Sequence, residues 1–121
     1  MLVEIEDNDE LYRRIFPEYV RANGTVSLKA FMLSGYPDPQ VSVDLARLTT
    51  PEEAVSRAKE PGYGLGAIVA QLPRSLGLTV RHDPIPNHYS HSLIIGENTK
   101  EKCKRLAEGV RLMIQPKRMA D

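Results

Sequence analysis

LTVRHDPIPNHYSHSLIIG, residues 78–96, is the stretch on which the fold turns. Two short runs, LTVRHD and SHSLIIG, flank the connection PIPNHY. Pro84 and Pro86 have no amide hydrogen to give to a ladder, so the middle is a loop and not a strand. The stretch therefore predicts a β-hairpin, residues 78–83 beside 90–96, with a proline-stiffened tip. It also carries the chain's 3 histidines, His82, His88 and His91, next to Asp83.

Downstream, Cys103, Leu106, Ala107, Val110, Met113 and Ile114 mark one face of a helix, while Lys100, Lys104, Glu108 and Arg111 lie off it. Asn98, with Glu101 three residues on, predicts a capping box, and Pro116 sets the stop. KRMAD, residues 117–121, is then a frayed tail.

Upstream, GLGAIVAQL has a β-branched centre at Ile68-Val69 between glycines, which predicts a buried strand. TTPEEAVSRA predicts a helix capped by Thr50, with Pro51 at its first position, ended by KEPGYG. QVSVDLA alternates Val41 and Val43 with Ser42 and Asp44, the period of a half-buried strand. Ser27 is expected to cap a helical turn carrying Leu28, Phe31 and Met32, and SGYPDPQ is a loop. At the start, EDND followed by Leu11, Ile15 and Phe16 predicts a helix capped by Asp7 or Asn8. Pro17 opens a second short helix, PEYVRAN, that stops at Asn23-Gly24. The sum is an α+β fold: a small, largely antiparallel sheet covered on one face by helices, in a single domain over residues 1–121.

The chain balances 16 basic against 16 acidic residues. That balance argues against a protein whose main task is gripping a nucleic-acid backbone. The lone Cys103 makes neither an internal disulfide nor a cysteine-based zinc site. No apolar run is long enough for a bilayer, and the acidic N-terminus lacks the core of a signal peptide, so a cytoplasmic location is expected. PGYGLG, residues 61–66, fits neither the dinucleotide fingerprint nor the phosphate loop, and no cofactor is expected.

The histidine spacing suggests zinc at first sight. Against it, His88 sits in a proline-rich loop, and in a strand His82 and Asp83 point to opposite faces. The hairpin reading instead sets Asp83 beside His91, where a carboxylate fixes the imidazole tautomer and favours its charged form. Asn87 is expected to close the turn through its side-chain amide. Asp83, Asn87, His88 and His91 then form a shaped binding rim. Reactive chemistry has four candidates: Arg13 for an anion, Ser42 as a nucleophile in need of a base, His91 as that base, and Asp83 behind it. The basic residues of the last helix, Lys100, Lys102, Lys104, Arg105 and Arg111, are a solvated face or a dock for RNA or an acidic protein.

On DELYRRI, VSLKAF, QVSVDLARLTTPEE and LGLTVRHDPIPNHYSHSLIIG, over about residues 9–96, the chain resembles a group of small prokaryotic proteins without an assigned activity, associated with defence or toxin-type genes. The resemblance implies attention to Arg13, Ser42, Asp83, Asn87 and His91, and departs from the group's pattern at His88. It implies no mechanism. The expectation is a non-enzymatic module that presents DPIPNHYSH to a protein partner. The alternative is a nucleotide-binding or RNA-processing enzyme with His91 as acid or base and Arg13 on phosphate. Geometry decides between them: whether Arg13, Ser42, Asp83 and His91 meet.

Overall fold

The computed structural model describes residues 2–32 and 40–117. The hairpin forms as expected. Thr79–His82 (β4) pairs antiparallel with His91–Ile95 (β5), from Thr79 opposite Ile95 to His82 opposite Ser92. To reach them the chain first makes Glu10–Ile15 (β1), Gln40–Leu45 (β2) and Gly64–Val69 (β3), and it finishes with Arg111–Ile114 (β6). Every pairing is antiparallel, and the spatial order is β4-β5-β2-β1-β3-β6.

The first strand corrects the sequence reading, which made DELYRRI a helix. Leu11 and Ile15 are four apart, a spacing that serves a helix face and, being even, one face of a strand as well. Six consecutive residues of β1 pair with β3, from Glu10 opposite Val69 to Ile15 opposite Gly64. The acidic residues ahead of it cap no helix: Asp9 receives the N–H of Glu6 in a turn. PEYVRAN shrinks to a 3₁₀ turn, Pro17–Tyr19, because Val20 bridges to Val26. Ser27 does cap a turn, Leu28–Ala30, by accepting from the N–H of Lys29. The predicted loop SGYPDPQ lies outside the described residues, apart from Gln40.

Alternation splits the sheet into two unlike faces. Leu11, Ile15, Val41, Val43, Leu45, Ile68 and Ile94 share one face, and together with Phe31, Cys103 and Leu106 they form the main core. Covering them are Gln71–Ser75 (α2), a short helix the sequence did not announce, and Lys100–Glu108 (α3), whose Cys103, Leu106 and Ala107 are buried. Full burial of a leucine such as Leu106 is worth roughly 1.5–3 kcal/mol. The other face carries a small cluster, Tyr12, Leu65 and Ala67, under Ala54 of helix Pro51–Ser56 (α1). Thr50 caps α1 by accepting from the N–H of Glu53 at 3.1 Å, as its sequence predicted.

The last helix is shorter than its apolar stripe. It is capped by Thr99 and not by Asn98, whose amide instead donates to the carbonyl of Phe31. It stops at Glu108 with Gly109 as its cap, where a Cβ would lie 2.4 Å from Leu72 Cδ2 of α2. Arg111–Ile114 then alternates and pairs with β3. Lys117, assigned to the frayed tail, donates its N–H to the carbonyl of Gly62 at 2.8 Å. No helix among the described residues is long and apolar enough to cross a membrane.

Candidate active site

The tip of the hairpin is a tight turn. Asn87 takes the left-handed conformation, φ +62°, directly after Pro86, and the N–H of His88 donates to the carbonyl of Ile85 at 2.9 Å. Proline followed by asparagine suits the two central positions of such a turn. Asn87 thus closes it with its backbone rather than with the amide bond expected from sequence. Asp83 and His91 face each other at the base, where the N–H of Asp83 donates to the carbonyl of His91 at 2.9 Å.

The three histidines part company. His82 shares the main-core face and is buried, with Nδ1 accepting from the N–H of Val3 at 3.0 Å. Its Nε2 must then hold the proton, which it gives to the carbonyl of Tyr89 at 2.7 Å. His88 and His91 turn to the opposite face, ring centroids 5.2 Å apart, each against its own carboxylate. Among the described residues no group of three or more His, Cys, Asp and Glu is placed to hold a metal ion.

On that second face, register brings Asp44 opposite Tyr12 on one side and His91 on the other. Asp44 is fully buried. Its Oδ1 accepts from His88 Nε2 and, at 2.9 Å, from Ser90 Oγ, while Oδ2 accepts from Arg14 Nη1 at 2.9 Å. A carboxylate this deep is tolerable only with such a set of donors. The same Nη1 of Arg14 also reaches the carbonyl of Ala54, which ties α1 to the sheet.

Ser42 stands two residues before Asp44 and so on the same face. Its Oγ lies 3.2 Å from His91 Nε2. Across the ring, His91 Nδ1 is 2.8 Å from the carbonyl of Asp83 and 3.2 Å from its carboxylate Oδ2. Both are acceptors, so Nδ1 carries the proton and Nε2 offers its lone pair to the serine hydroxyl. This is the arrangement of a hydroxyl, a base and an orienting acid.

Arg13 does not join them. In the strand it alternates with Tyr12 and Arg14 and projects to the main-core face, opposite His91. Its Nε donates to the carbonyl of Ala30 and its Nη1 to the backbone carbonyl of Ser42, both at 2.9 Å. Beyond Tyr12 no β1–β2 register pair forms among the described residues, and this guanidinium spans the gap. Desolvation by burial, and next the like charge of Arg14, lowers its pKa to about 10, against upward pulls from Tyr19 and Tyr63. The alternative with Arg13 beside His91 is thereby excluded.

Sequence reasoning brought out Ser42, Asp83 and His91 and missed Arg14 and Asp44. The signal was there: two consecutive arginines in a strand must enter opposite faces, so one of them had to share a face with Asp44. Cys103 is buried, and burial pushes its thiol pKa up, which suits an inert core residue. No family model matches this chain, and no curated protein or solved structure matches it significantly.

Proposed function

We propose that the protein is an enzyme of the serine-nucleophile class, a hydrolase of small acyl esters. Ser42 is the nucleophile, His91 the general base and Asp83 the residue that orients it. The observation that carries this reading is the 3.2 Å approach of Ser42 Oγ to His91 Nε2, with His91 Nδ1 held from behind by Asp83. Three separate segments converge to make it.

The chemistry follows from the proton positions. As Ser42 Oγ attacks an ester carbonyl carbon, its proton passes to Nε2, and the imidazolium is stabilised by the Asp83 carboxylate and carbonyl. His91 returns the proton to the departing alkoxide, leaving an acyl-serine. Water, deprotonated by the same Nε2, then releases the acid. Arg14 sits on the face of Ser42, on the strand next to β2. Its Nε and Nη2 have no partner among the described residues, and they offer positive hydrogen bonds to a developing oxyanion.

Labelling with a fluorophosphonate, followed by peptide mapping, tests this reading. Modification confined to Ser42, lost in His91→Gln, supports it. A folded wild-type protein that neither takes the label nor hydrolyses p-nitrophenyl acetate above the Ser42→Ala background overturns it.

A second reading retains the interaction module, and the anchoring of the tip favours it. His82, His88 and Ser90 tie residues 82–90 to the buried interior, while Ile85 and Tyr89 remain 43% and 46% exposed. Between the tip and α1 lies a groove of ≈ 430 Å³ lined by Leu48, Glu53, Arg57, Ile85 and His88, among others. A rigid loop with outward apolar groups suits a protein partner, since little ordering entropy is lost on binding. Ile85→Asp, which leaves Ser42 untouched, separates the readings: it abolishes partner capture under the second and spares ester hydrolysis under the first.

A further inference from the structure

Most arginines that the structure describes meet an acid. Arg14, Arg47, Arg57, Arg74, Arg105 and Arg111 each pair with an Asp or Glu carboxylate. Arg13 is half-buried and has only the two backbone carbonyls of Ala30 and Ser42. A carbonyl dipole is a weak substitute for a counter-charge, and a guanidinium without one is costly to bury. Its Nη2 makes no hydrogen bond to the described residues, yet it is not among the sealed, unpartnered atoms, so it opens onto accessible space.

That space is a cavity of ≈ 330 Å³ where β1 leaves β2, lined by Arg13, Arg14, Phe16, Tyr19, Ala30 and Tyr63. Three of its walls are aromatic. The Phe16 ring meets Tyr19 at 5.5 Å and Tyr63 at 5.6 Å, both edge to face. Aromatic edges and faces at this spacing receive another flat ring well. Arg14 adds a second cation, itself balanced by Asp44. The net charge left uncompensated in the cavity is therefore positive and belongs to Arg13. The volume is at the low end of the roughly 300–1,000 Å³ found for ligand pockets, room for a single-ring compound.

We propose that this cavity binds a small aromatic molecule bearing an oxyanion, its carboxylate or phosphate on the Arg13 guanidinium and its ring among Phe16, Tyr19 and Tyr63. With Nε and Nη1 held by backbone carbonyls, Nη2 is the nitrogen left to meet a carboxylate or phosphate oxygen in a charge-assisted hydrogen bond. The cavity shares Arg14 with the proposed oxyanion site, but its walls hold none of Ser42, Asp83 and His91, and Arg13 enters the sheet on the face opposite His91, so binding here is read apart from ester hydrolysis.

The test is a titration of the folded protein with benzoate, phenyl phosphate, inorganic phosphate and benzamide, followed by NMR of the tyrosine rings. Benzoate or phenyl phosphate is expected to bind saturably and to shift Tyr19 and Tyr63. Benzamide, flat but uncharged, binds at least tenfold more weakly, and inorganic phosphate lags phenyl phosphate. Whichever oxyanion binds more tightly names the natural source. Arg13→Gln loses the preference for benzoate over benzamide. Should that variant fail to fold, Tyr63→Ala keeps the idea open to refutation, because it is expected to weaken phenyl phosphate at least fivefold and inorganic phosphate much less. Equal binding of benzoate and benzamide overturns the proposal. So does saturable binding of neither aromatic anion, or shifts that spare both tyrosines.

Discussion

Arg13 and Arg14 are adjacent in sequence and live in different environments. Arg14 reaches into the polar face, where a buried carboxylate receives it and two further donors complete the shell around that carboxylate. Arg13 reaches into the apolar face and finds only carbonyls. One face has spent a charge to balance a charge; the other holds a charge in reserve. The lesson is that strand alternation, and not residue type, decides what a guanidinium is for.

Four measurements break or sharpen that contrast. Asp44→Ala is expected to be the most damaging, about 3–5 kcal/mol by denaturant unfolding, because it strands Arg14, His88 and Ser90 at once. A loss under about 1 kcal/mol, the size of a surface pair, would remove Asp44 from the centre of the site. Arg14→Met comes next, at roughly 2–4 kcal/mol, since Asp44 is left without its full cation. Gly66→Ala probes the apolar face opposite Arg13. A Cβ there would stand 2.5 Å from Val110 Cγ1 and 2.8 Å from Ile15 Cδ1, for an overpacking cost of about 1–3 kcal/mol.

Arg13→Met is expected to cost least, about 1 kcal/mol or below, because the two lost hydrogen bonds are offset by removal of a desolvated charge. If it costs more than Arg14→Met, the contrast fails. The sign of its pH dependence follows from the lowered pKa. Below about pH 10 folded and unfolded chains both hold the proton; above it the folded chain releases the proton first, while the unfolded chain, with the ordinary higher arginine pKa, still holds it. Wild type therefore gains stability relative to Arg13→Met as pH rises through that window, by unfolding in urea at about pH 8 and about pH 11.

The sequence made some of this plain. The hairpin was legible because Pro84 and Pro86 forbid ladder bonds between two apolar runs, and α1 because Thr50 and Pro51 mark its start. The first strand was hidden by an even spacing that satisfies both periods, with Arg13 occupying the apolar slot between Leu11 and Ile15. β6 was hidden in the same way, since Val110, Met113 and Ile114 extend the stripe of α3 past the glycine that ends it. Of the candidate site, Ser42, Asp83 and His91 could be proposed from residue chemistry. Asp44 looked like the solvent side of a strand, and only the tertiary pairing of β2 between β1 and β5 shows that it is enclosed.

The order β4-β5-β2-β1-β3-β6 puts the earliest strand of the chain near the middle of the sheet, with both its edges claimed by partners that come later. During synthesis β1 emerges ahead of the strands that flank it, and its pairing with β3 joins Glu10 to Val69, far apart along the chain. Such distant closures make folding slow. Nascent protein thus passes through an interval in which one edge of β1 stays open to foreign strands even after β2 has emerged, and it ends only when Gly64–Val69 arrives.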